Sequence, residues 1–151
     1  MIEGRGVAVI ARSRADIIAF VTDLERYRRA DWKIGRVISV LREGEHTIRM
    51  RHGGTLRGLP GPPVSLVMTL DDTGAHYRSD DTGLARAFLT FDGGFILEDT
   101  SAGVRVTHIE RFRFHLPWRL VAEPWLRAWL QADVAAEMQR MKALLESGDG
   151  E

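Results

Sequence analysis

The sequence of 151 residues contains no cysteine. Disulfide frameworks, thiolate zinc sites and cysteine nucleophiles are therefore excluded, and the chain is compatible with a reducing compartment such as the cytoplasm. An excess of charge of either sign is also missing, because 21 basic side chains face 21 acidic ones. This balance argues against nucleic acids as partners, since phosphate backbones attract a basic surface.

Long apolar runs are lacking as well. No stretch approaches the roughly 18 consecutive apolar residues that a membrane helix needs, and the N-terminus does not have the pattern of a signal peptide. We therefore expect a cytoplasmic protein with no integral membrane association. The length predicts a single domain over residues 1–151. Residues 2–5, Ile-Glu-Gly-Arg, match the recognition site of factor Xa, so residues 1–5 are expected to be tag-derived or disordered, and residues 148–151 to form a flexible tail.

The first elements have clear local signals. Residues 7–11 are β-branched and apolar, which predicts a strand. Ser13 can cap a helix over residues 16–22, with Asp16 placed three positions after the cap, and a second short helix is expected over residues 24–30.

From residue 34 the pattern changes to strand-length segments separated by turns, including one near residues 80–83. We predict strands at residues 35–42, 46–52, 64–70, 75–79, 86–98 and 104–115. The three prolines between residues 58 and 63 predict a loop or an edge crossover, because proline cannot donate to a β-ladder. Segment 86–98 is interpreted either as one strand with a bulge at Gly93-Gly94, which we favour, or as a hairpin with Asp92-Gly93 at its tip.

A long helix is predicted to begin at Pro117 or Pro124 and to end at Gly148. One side carries a continuous apolar stripe at helical spacing, formed by Leu126, Leu130, Val134, Met138, Met141 and Leu145. The opposite side carries Trp118, Trp125, Trp129, Ala132 and Ala136. A helix with two apolar sides needs a second covering surface, such as a loop or another subunit, so a homodimer is one expectation.

This order of elements predicts an α+β fold in which a curved antiparallel sheet of about six to seven strands wraps a long C-terminal helix, with two short helices after the first strand. Three segments then resemble a known family: residues 15–27 with Trp32 shortly after, residues 103–112, and residues 138–146. The chain is identified by them as similar to the START-like (SRPBCC) superfamily, in its polyketide cyclase/dehydrase and lipid-transport group. It departs from the common pattern in having no proline before Trp32 and in placing Arg113-Phe114 where a small residue often stands.

The resemblance implies a helix-grip fold with a cavity between the sheet and the C-terminal helix. Members of the superfamily bind lipids, sterols, polyketides or plant hormones, and a minority catalyse cyclisation or dehydration. Family membership therefore implies a binding pocket more firmly than it implies a reaction.

His108 and Glu110 are the clearest polar candidates. They lie two residues apart on a predicted strand and so share one face with apolar neighbours, where burial and mutual attraction both perturb protonation. Three interpretations stay open: the pair stabilises the core, contacts a ligand, or acts as acid and base. We expect no metal, because H-E-x-x-H is absent and the other histidines, His46, His52, His76 and His115, fall near strand ends or on polar faces, and no cofactor, because phosphate-loop patterns are absent. No G-x-S-x-G motif indicates a nucleophilic serine.

Apolar and aromatic residues complete the predicted ligand site: Trp32, Met50, Met68, Phe91, Phe95, Phe112, Trp125 and Trp129. The first functional hypothesis is a protein that binds a hydrophobic or amphipathic small molecule, with His108 and Glu110 at its polar end. The second is an enzyme of the aromatase/cyclase type that uses the same two residues for proton transfer. The third is an interaction module that docks through the tryptophan-bearing side of the last helix.

Overall fold

The computed structural model describes residues 1–82 and 84–148, without the side chain of Leu84. Its strands are β1 (Ile2–Ile10), β2 (Ile34–Glu43), β3 (Thr47–Leu56), β4 (Leu59–Asp71), β5 (Gly74–Ser79), β6 (Leu89–Thr100) and β7 (Gly103–Phe114). Its helices are α1 (Arg14–Thr22), α2 (Leu24–Tyr27), α3 (Leu84–Phe88) and α4 (Arg119–Ser147). The strands form one antiparallel sheet in the order β1-β7-β6-β5-β4-β3-β2. The predicted α+β architecture is confirmed, while the end of the predicted turn at residue 83 and the predicted tail at residues 149–151 lie outside the described residues.

Strand β1 is longer than predicted. It begins at Ile2, which lies opposite Phe112 of β7 and is 1% exposed. The structure therefore places residues 2–5 in the sheet, although their match to the factor Xa site had predicted a tag-derived or disordered segment. Helix α1 follows as predicted, with Ser13 and Asp16 forming a reciprocal capping box.

Glycines let β1 approach α4 closely. A Cβ atom added at Gly4 would lie 2.7 Å from the carbonyl oxygen of Leu130, and one at Gly6 would lie 2.5 Å from that of Val134. These distances are far below van der Waals contact, so a larger residue would push the helix away from the strand. The close contact positions α4 over β1 and β7, at one side of the sheet.

The proline-rich segment is not the predicted loop. Strand β4 runs through Pro60, Pro62 and Pro63, and Pro63 lies opposite Gly53 of β3. Only the second half of β4, from Leu66 onward, also pairs with β5. The prolines therefore lie where the strand has a neighbour on one side only, which is the position at which a sheet tolerates proline.

The expected bulge in β6 is also wrong, and so is the hairpin alternative. Residues 86–88 belong to α3, and β6 pairs with β7 in unbroken register from Leu89 to Thr100. The glycines serve close packing instead: a Cβ at Gly93 would lie 2.6 Å from the hydroxyl of Tyr77, and one at Gly94 would lie 2.7 Å from the carbonyl oxygen of Ala75. The pair of glycines thus lets neighbouring groups approach the strand without an extra residue.

Helix α4 begins at Arg119, so neither proline opens it, and Pro124 lies inside its second turn. Because proline has no N–H, the helix lacks the hydrogen bond that residue 124 would otherwise donate to the carbonyl oxygen of residue 120. The predicted apolar stripe is buried throughout, and Gly148 ends the helix with φ of 79°. On the other side Trp118 and Trp125 stay 51% and 47% exposed, so this chain alone does not cover them. Among the described residues no helix has the length and apolarity to cross a membrane.

We predict that Ile2→Ala lowers the free energy of unfolding by about 2 kcal/mol or more, because the side chain is buried against the α4 core. Chemical denaturation followed by circular dichroism measures the change. Val7→Ala is the matched control on the same strand, since Val7 is 44% exposed and should cost less than about 1 kcal/mol. Equal effects of the two variants would contradict the placement of the first residues in the sheet.

Candidate functional site

A cavity of about 100 Å³ lies on the inner face of strands β3 to β7. Helices α1, α2 and α3 and the segment before β2 form the rest of its wall. Helix α4 contributes no residue to the described lining, so the prediction of a cavity directly between the sheet and this helix is wrong in that detail. The reason is the close contact of α4 with β1 and β7, which leaves the rest of the concave sheet for the cavity.

Most of the cavity wall is apolar. Five apolar residues of the predicted ligand site line it, namely Met50, Met68, Phe91, Phe95 and Phe112. They come from β3, β4, β6 and β7, and alternation along each strand turns these side chains to the same face of the sheet. Other apolar wall residues are Val21, Leu24, Ile34, Leu56, Val64, Leu66, Phe88 and Leu89. Such a surface favours an apolar molecule or the apolar part of an amphipathic one.

A buried ammonium group forms the polar end of the cavity. The Nζ atom of Lys33 lies 2.8 Å from Asp31, 2.8 Å from Asp133 and 2.7 Å from Glu137. Its distance to the Oε2 atom of Glu110 is longer, at 3.3 Å. Lys33 itself is only 6% exposed. One cation therefore holds together the segment before β2, strand β7 and helix α4.

Glu137 connects this ammonium to His108. The Oε1 atom of Glu137 lies 3.0 Å from the Nδ1 atom of His108 and also accepts a hydrogen bond from the hydroxyl of Tyr27. On the far side of the imidazole, Nε2 lies 2.9 Å from the hydroxyl of Tyr77, which lines the cavity. The ring of His108 stacks on Phe95 with centroids 4.2 Å apart. A continuous polar chain thus runs from Lys33 to a hydroxyl group on the cavity wall.

Burial raises the pKa of Glu110 to about 7, because Asp31 and Glu137 oppose its ionisation and the attraction of Lys33 offsets only part of the cost. The residue lines the cavity and is 6% exposed. At neutral pH this carboxyl group therefore exists in both protonation states, which is the condition for gaining or losing a proton.

In the other members of the network, neighbouring charges favour the charged form. Burial opposes ionisation of Lys33, but the surrounding carboxylates raise its pKa well above the ordinary value. Burial likewise opposes a charged Glu137, yet Lys33 and His108 hold the pKa of its carboxyl far below the usual range. The pKa of His108 is raised because the attraction of Glu137 exceeds the cost of burial. Lys33 is thus a fixed cation and not a neutral amine nucleophile.

Four predicted site residues do not line the cavity. His108 lies behind Tyr77 and Phe95 and reaches the wall only through the Tyr77 hydroxyl. Trp32 is 65% exposed beneath the guanidinium of Arg140. Trp125 and Trp129 lie on the side of α4 away from the cavity; Arg57 covers the ring of Trp125, and Trp129 shares an outer groove with Trp32. Placing the three tryptophans in the cavity was wrong, because their helix and segment positions face outward.

Most members of the polar network were not predicted from the sequence, namely Tyr27, Asp31, Lys33, Tyr77, Asp133 and Glu137. One signal was available for Glu137, which lies three residues after Val134 and four before Met141 and so falls on the buried stripe of α4. Another was Lys33, one of only two lysines beside 19 arginines. His52 was also misjudged, since it is 6% exposed and lines the cavity.

The described residues contain one group of carboxylates close enough to hold a metal ion. Oxygen atoms of Asp31, Asp133 and Glu137 lie within 4.8 Å of one another. The ammonium of Lys33 lies among them at hydrogen-bonding distance from each. A metal ion would have to displace this cation, so the donor set fits an ammonium group and not a metal.

A family model described as polyketide cyclase/dehydrase and lipid transport matches residues 1–146. Among solved structures, TTHA0849 from Thermus thermophilus is similar with a TM-score of 0.70 and 16% identity, over 97% of this chain and 98% of that one. The Zhui aromatase/cyclase from Streptomyces sp. R1128 gives 0.68 and 17%, over 95% and 93% of the two chains. A START superfamily protein from Mycobacterium smegmatis gives 0.69 and 12%, over 96% and 97%. These structures confirm the helix-grip fold, and no curated protein matches the chain.

We predict that Glu137→Gln lowers the free energy of unfolding by about 3–5 kcal/mol, because it leaves Lys33 and His108 without the carboxylate that compensates both. Thermal or chemical denaturation measures the loss. Glu146→Gln is the matched control on the same helix, since its pairing with Lys142 is partly exposed and should contribute less than about 1 kcal/mol. A loss at Glu137 no larger than the control would contradict the central role of this carboxylate.

A second prediction concerns pH. The folded chain keeps the Glu110 proton up to a pKa of about 7, whereas the unfolded chain loses it near the ordinary value of 4.5. This group's contribution to stability therefore falls as the pH rises between those two values. Relative to wild type, Glu110→Gln should gain about 2–3 kcal/mol of stability between pH 5 and pH 8. Denaturation curves at several pH values measure the gain; Glu45→Gln, at a side chain 93% exposed, is the control, and parallel curves for all three proteins would refute the shifted pKa.

Proposed function

The chain belongs to the polyketide cyclase/dehydrase and lipid transport family, and on this premise we propose that its cavity binds a small molecule with an apolar body and a polar end. The apolar body would contact the methionine and phenylalanine side chains of the wall. The polar end would meet Glu110 and the hydroxyl of Tyr77. His108 would act as a positioning residue, because it holds Tyr77 without reaching the cavity itself.

The observation that carries this proposal is an apolar cavity that ends on a buried, ionisable carboxyl group. A core selected only for stability would fill this space and would contain no such group, because each void and each buried carboxyl group destabilises the folded protein. The volume of about 100 Å³ is smaller than the roughly 150 Å³ of a cavity that holds benzene, but this cavity is not sealed and opens to solvent on one side. We therefore favour a ligand with one or two rings or a short chain, part of which extends out through the opening.

Catalysis is a second candidate function. The pKa of Glu110 near 7 suits a general acid or base, and Tyr77 offers a hydroxyl nearby on the same wall. In an enzyme of the aromatase/cyclase type, Glu110 would move the proton during enolisation or dehydration of the bound ligand. His108 would support Tyr77 in place of transferring a proton to the ligand directly. An enzyme of this kind returns an altered ligand, whereas a binding protein returns the ligand unchanged.

The tryptophan-bearing side of α4 is a third candidate site, for a protein partner or a second copy of the chain. Trp118 and Trp125 stay about half exposed and lie near exposed Leu120 and Val121. Tryptophan is enriched at the centre of protein interfaces. Native mass spectrometry separates a monomer from a homodimer and, after solvent extraction, identifies a small molecule that stays with the protein.

We predict that naphthalene, a neutral apolar probe, binds to the wild-type cavity and that Met50→Trp abolishes this binding, because the indole occupies the space next to Met50. Saturation-transfer NMR detects the bound probe. Leu120→Trp adds the same side chain at a position 71% exposed and outside the cavity lining, so it should bind naphthalene as wild type does. Failure of the wild-type protein to bind the probe, or equal binding by Met50→Trp, would contradict a ligand-binding cavity.

A further inference from the structure

The ammonium group of Lys33 is surrounded by carboxylates of the protein itself. An ammonium group has three N–H donors. Nζ donates hydrogen bonds to Asp133 and Glu137, and it lies 2.8 Å from Asp31 and 3.3 Å from Glu110. An anionic head group would have to compete with Asp31 and Glu110 for the remaining donor. Although Lys33 lines the cavity, it is therefore a poor anchor for such a group.

Glu110 is in the opposite position. Its Oε2 atom is buried and, among the described residues, forms no hydrogen bond, and Lys33 is its ion-pair partner at 3.3 Å. A buried carboxyl oxygen without a donor is costly. Glu110 is also part of the cavity wall. When Glu110 is ionised, the unfilled hydrogen-bonding capacity at the polar end of the cavity is therefore that of an acceptor.

The charges around the polar end of the cavity also disfavour an anionic ligand. Four carboxyl groups, those of Asp31, Glu110, Asp133 and Glu137, surround Lys33. The further cationic groups are His108, 3.0 Å from Glu137, and Arg140, 3.6 Å from Asp133. Four potential negative charges thus face three positive ones, and an anionic ligand would add a fifth negative charge in a poorly solvated site.

The remaining wall groups can accept or share a hydrogen bond. The Nδ1 atom of His52 lies 2.8 Å from the carbonyl oxygen of Gly53, and donation to that oxygen leaves Nε2 as an acceptor. The Tyr77 hydroxyl, beside His108, can donate to a neutral oxygen. A ligand hydroxyl could accept from Tyr77 while donating to Glu110.

We propose that the ligand of this cavity carries a hydrogen-bond donor, an ammonium or a hydroxyl group, on its small apolar body, and that carboxylate, sulfate and phosphate head groups are excluded. This inference rests on the proposed function. Its physical basis is that an unpaired buried acceptor binds a ligand that carries a donor more tightly, and repels a ligand whose acceptor has the same charge. Fatty acids and phospholipids, whose head groups are anionic, are excluded as ligands on this ground.

The test uses four probes with the same ring system: naphthalene, 1-naphthylmethylamine, 1-naphthylmethanol and 1-naphthoate. Titrations at pH 8 are followed on ¹³C-labelled methionine methyl groups of the full chain. Met50 and Met68 line the cavity and report binding, while Met138 and Met141, on the buried stripe of α4 and outside the cavity lining, serve as internal references. We expect the amine and the alcohol to bind at least tenfold more tightly than 1-naphthoate.

The outcomes distinguish a failure of the proposed binding function from a failure of the inference about the head group. If naphthalene and all three derivatives leave Met50 and Met68 unchanged, the cavity does not bind ligands and the proposed function fails. If naphthalene binds but 1-naphthoate binds as tightly as the amine, the inference on the head group is overturned while the binding function stands. Glu110→Gln should reduce the preference of amine over naphthoate at least fivefold, and Glu45→Gln should preserve it; an unchanged preference in Glu110→Gln would refute the role of Glu110.

Discussion

The buried ammonium of Lys33 is the interaction on which the site depends. It joins three parts of the chain that lie far apart in sequence: Asp31 before β2, Glu110 on β7, and Asp133 with Glu137 on α4. Buried ions are costly unless every charge is paired, and removal of one partner leaves the others uncompensated. The network therefore fixes the position of α4 relative to the sheet and, with it, the polar end of the cavity.

The apolar part of the structure creates the conditions for this network. Gly4 and Gly6 bring α4 close to β1, and the buried stripe of the helix covers that side of the sheet. The rest of the concave sheet faces α1, α2 and α3, which border a cavity but do not fill it. Low polarity around Glu110 then raises its pKa toward neutrality. Packing and charge thus act together: the same geometry that leaves an apolar space also leaves one carboxyl group ionisable at its end.

Local signals predicted the elements that depend on neighbours in sequence. The cap formed by Ser13, the alternation along β7 and the stripe of α4 were all confirmed, since each is a repeat of a few residues whose geometry follows from the backbone period. Glycine and proline were harder to interpret. Gly93 and Gly94 looked like a bulge, and the prolines of β4 looked like a loop, because their role depends on which strand lies beside them and on which edge is unpaired.

In the candidate site, too, some features depend on neighbours in sequence and others on tertiary contacts. By itself the sequence determined the α+β fold, the buried face of β7 with Glu110 and His108, and most of the apolar wall, because side-chain direction along a strand follows from alternation alone. Only the tertiary structure decided that His108 stands behind Tyr77, that Trp32 and Trp125 face outward, and that Lys33 meets Glu137 104 positions along the chain. Such contacts depend on how α4 crosses the sheet and on how the segment before β2 folds back, and no short-range period in the sequence records either.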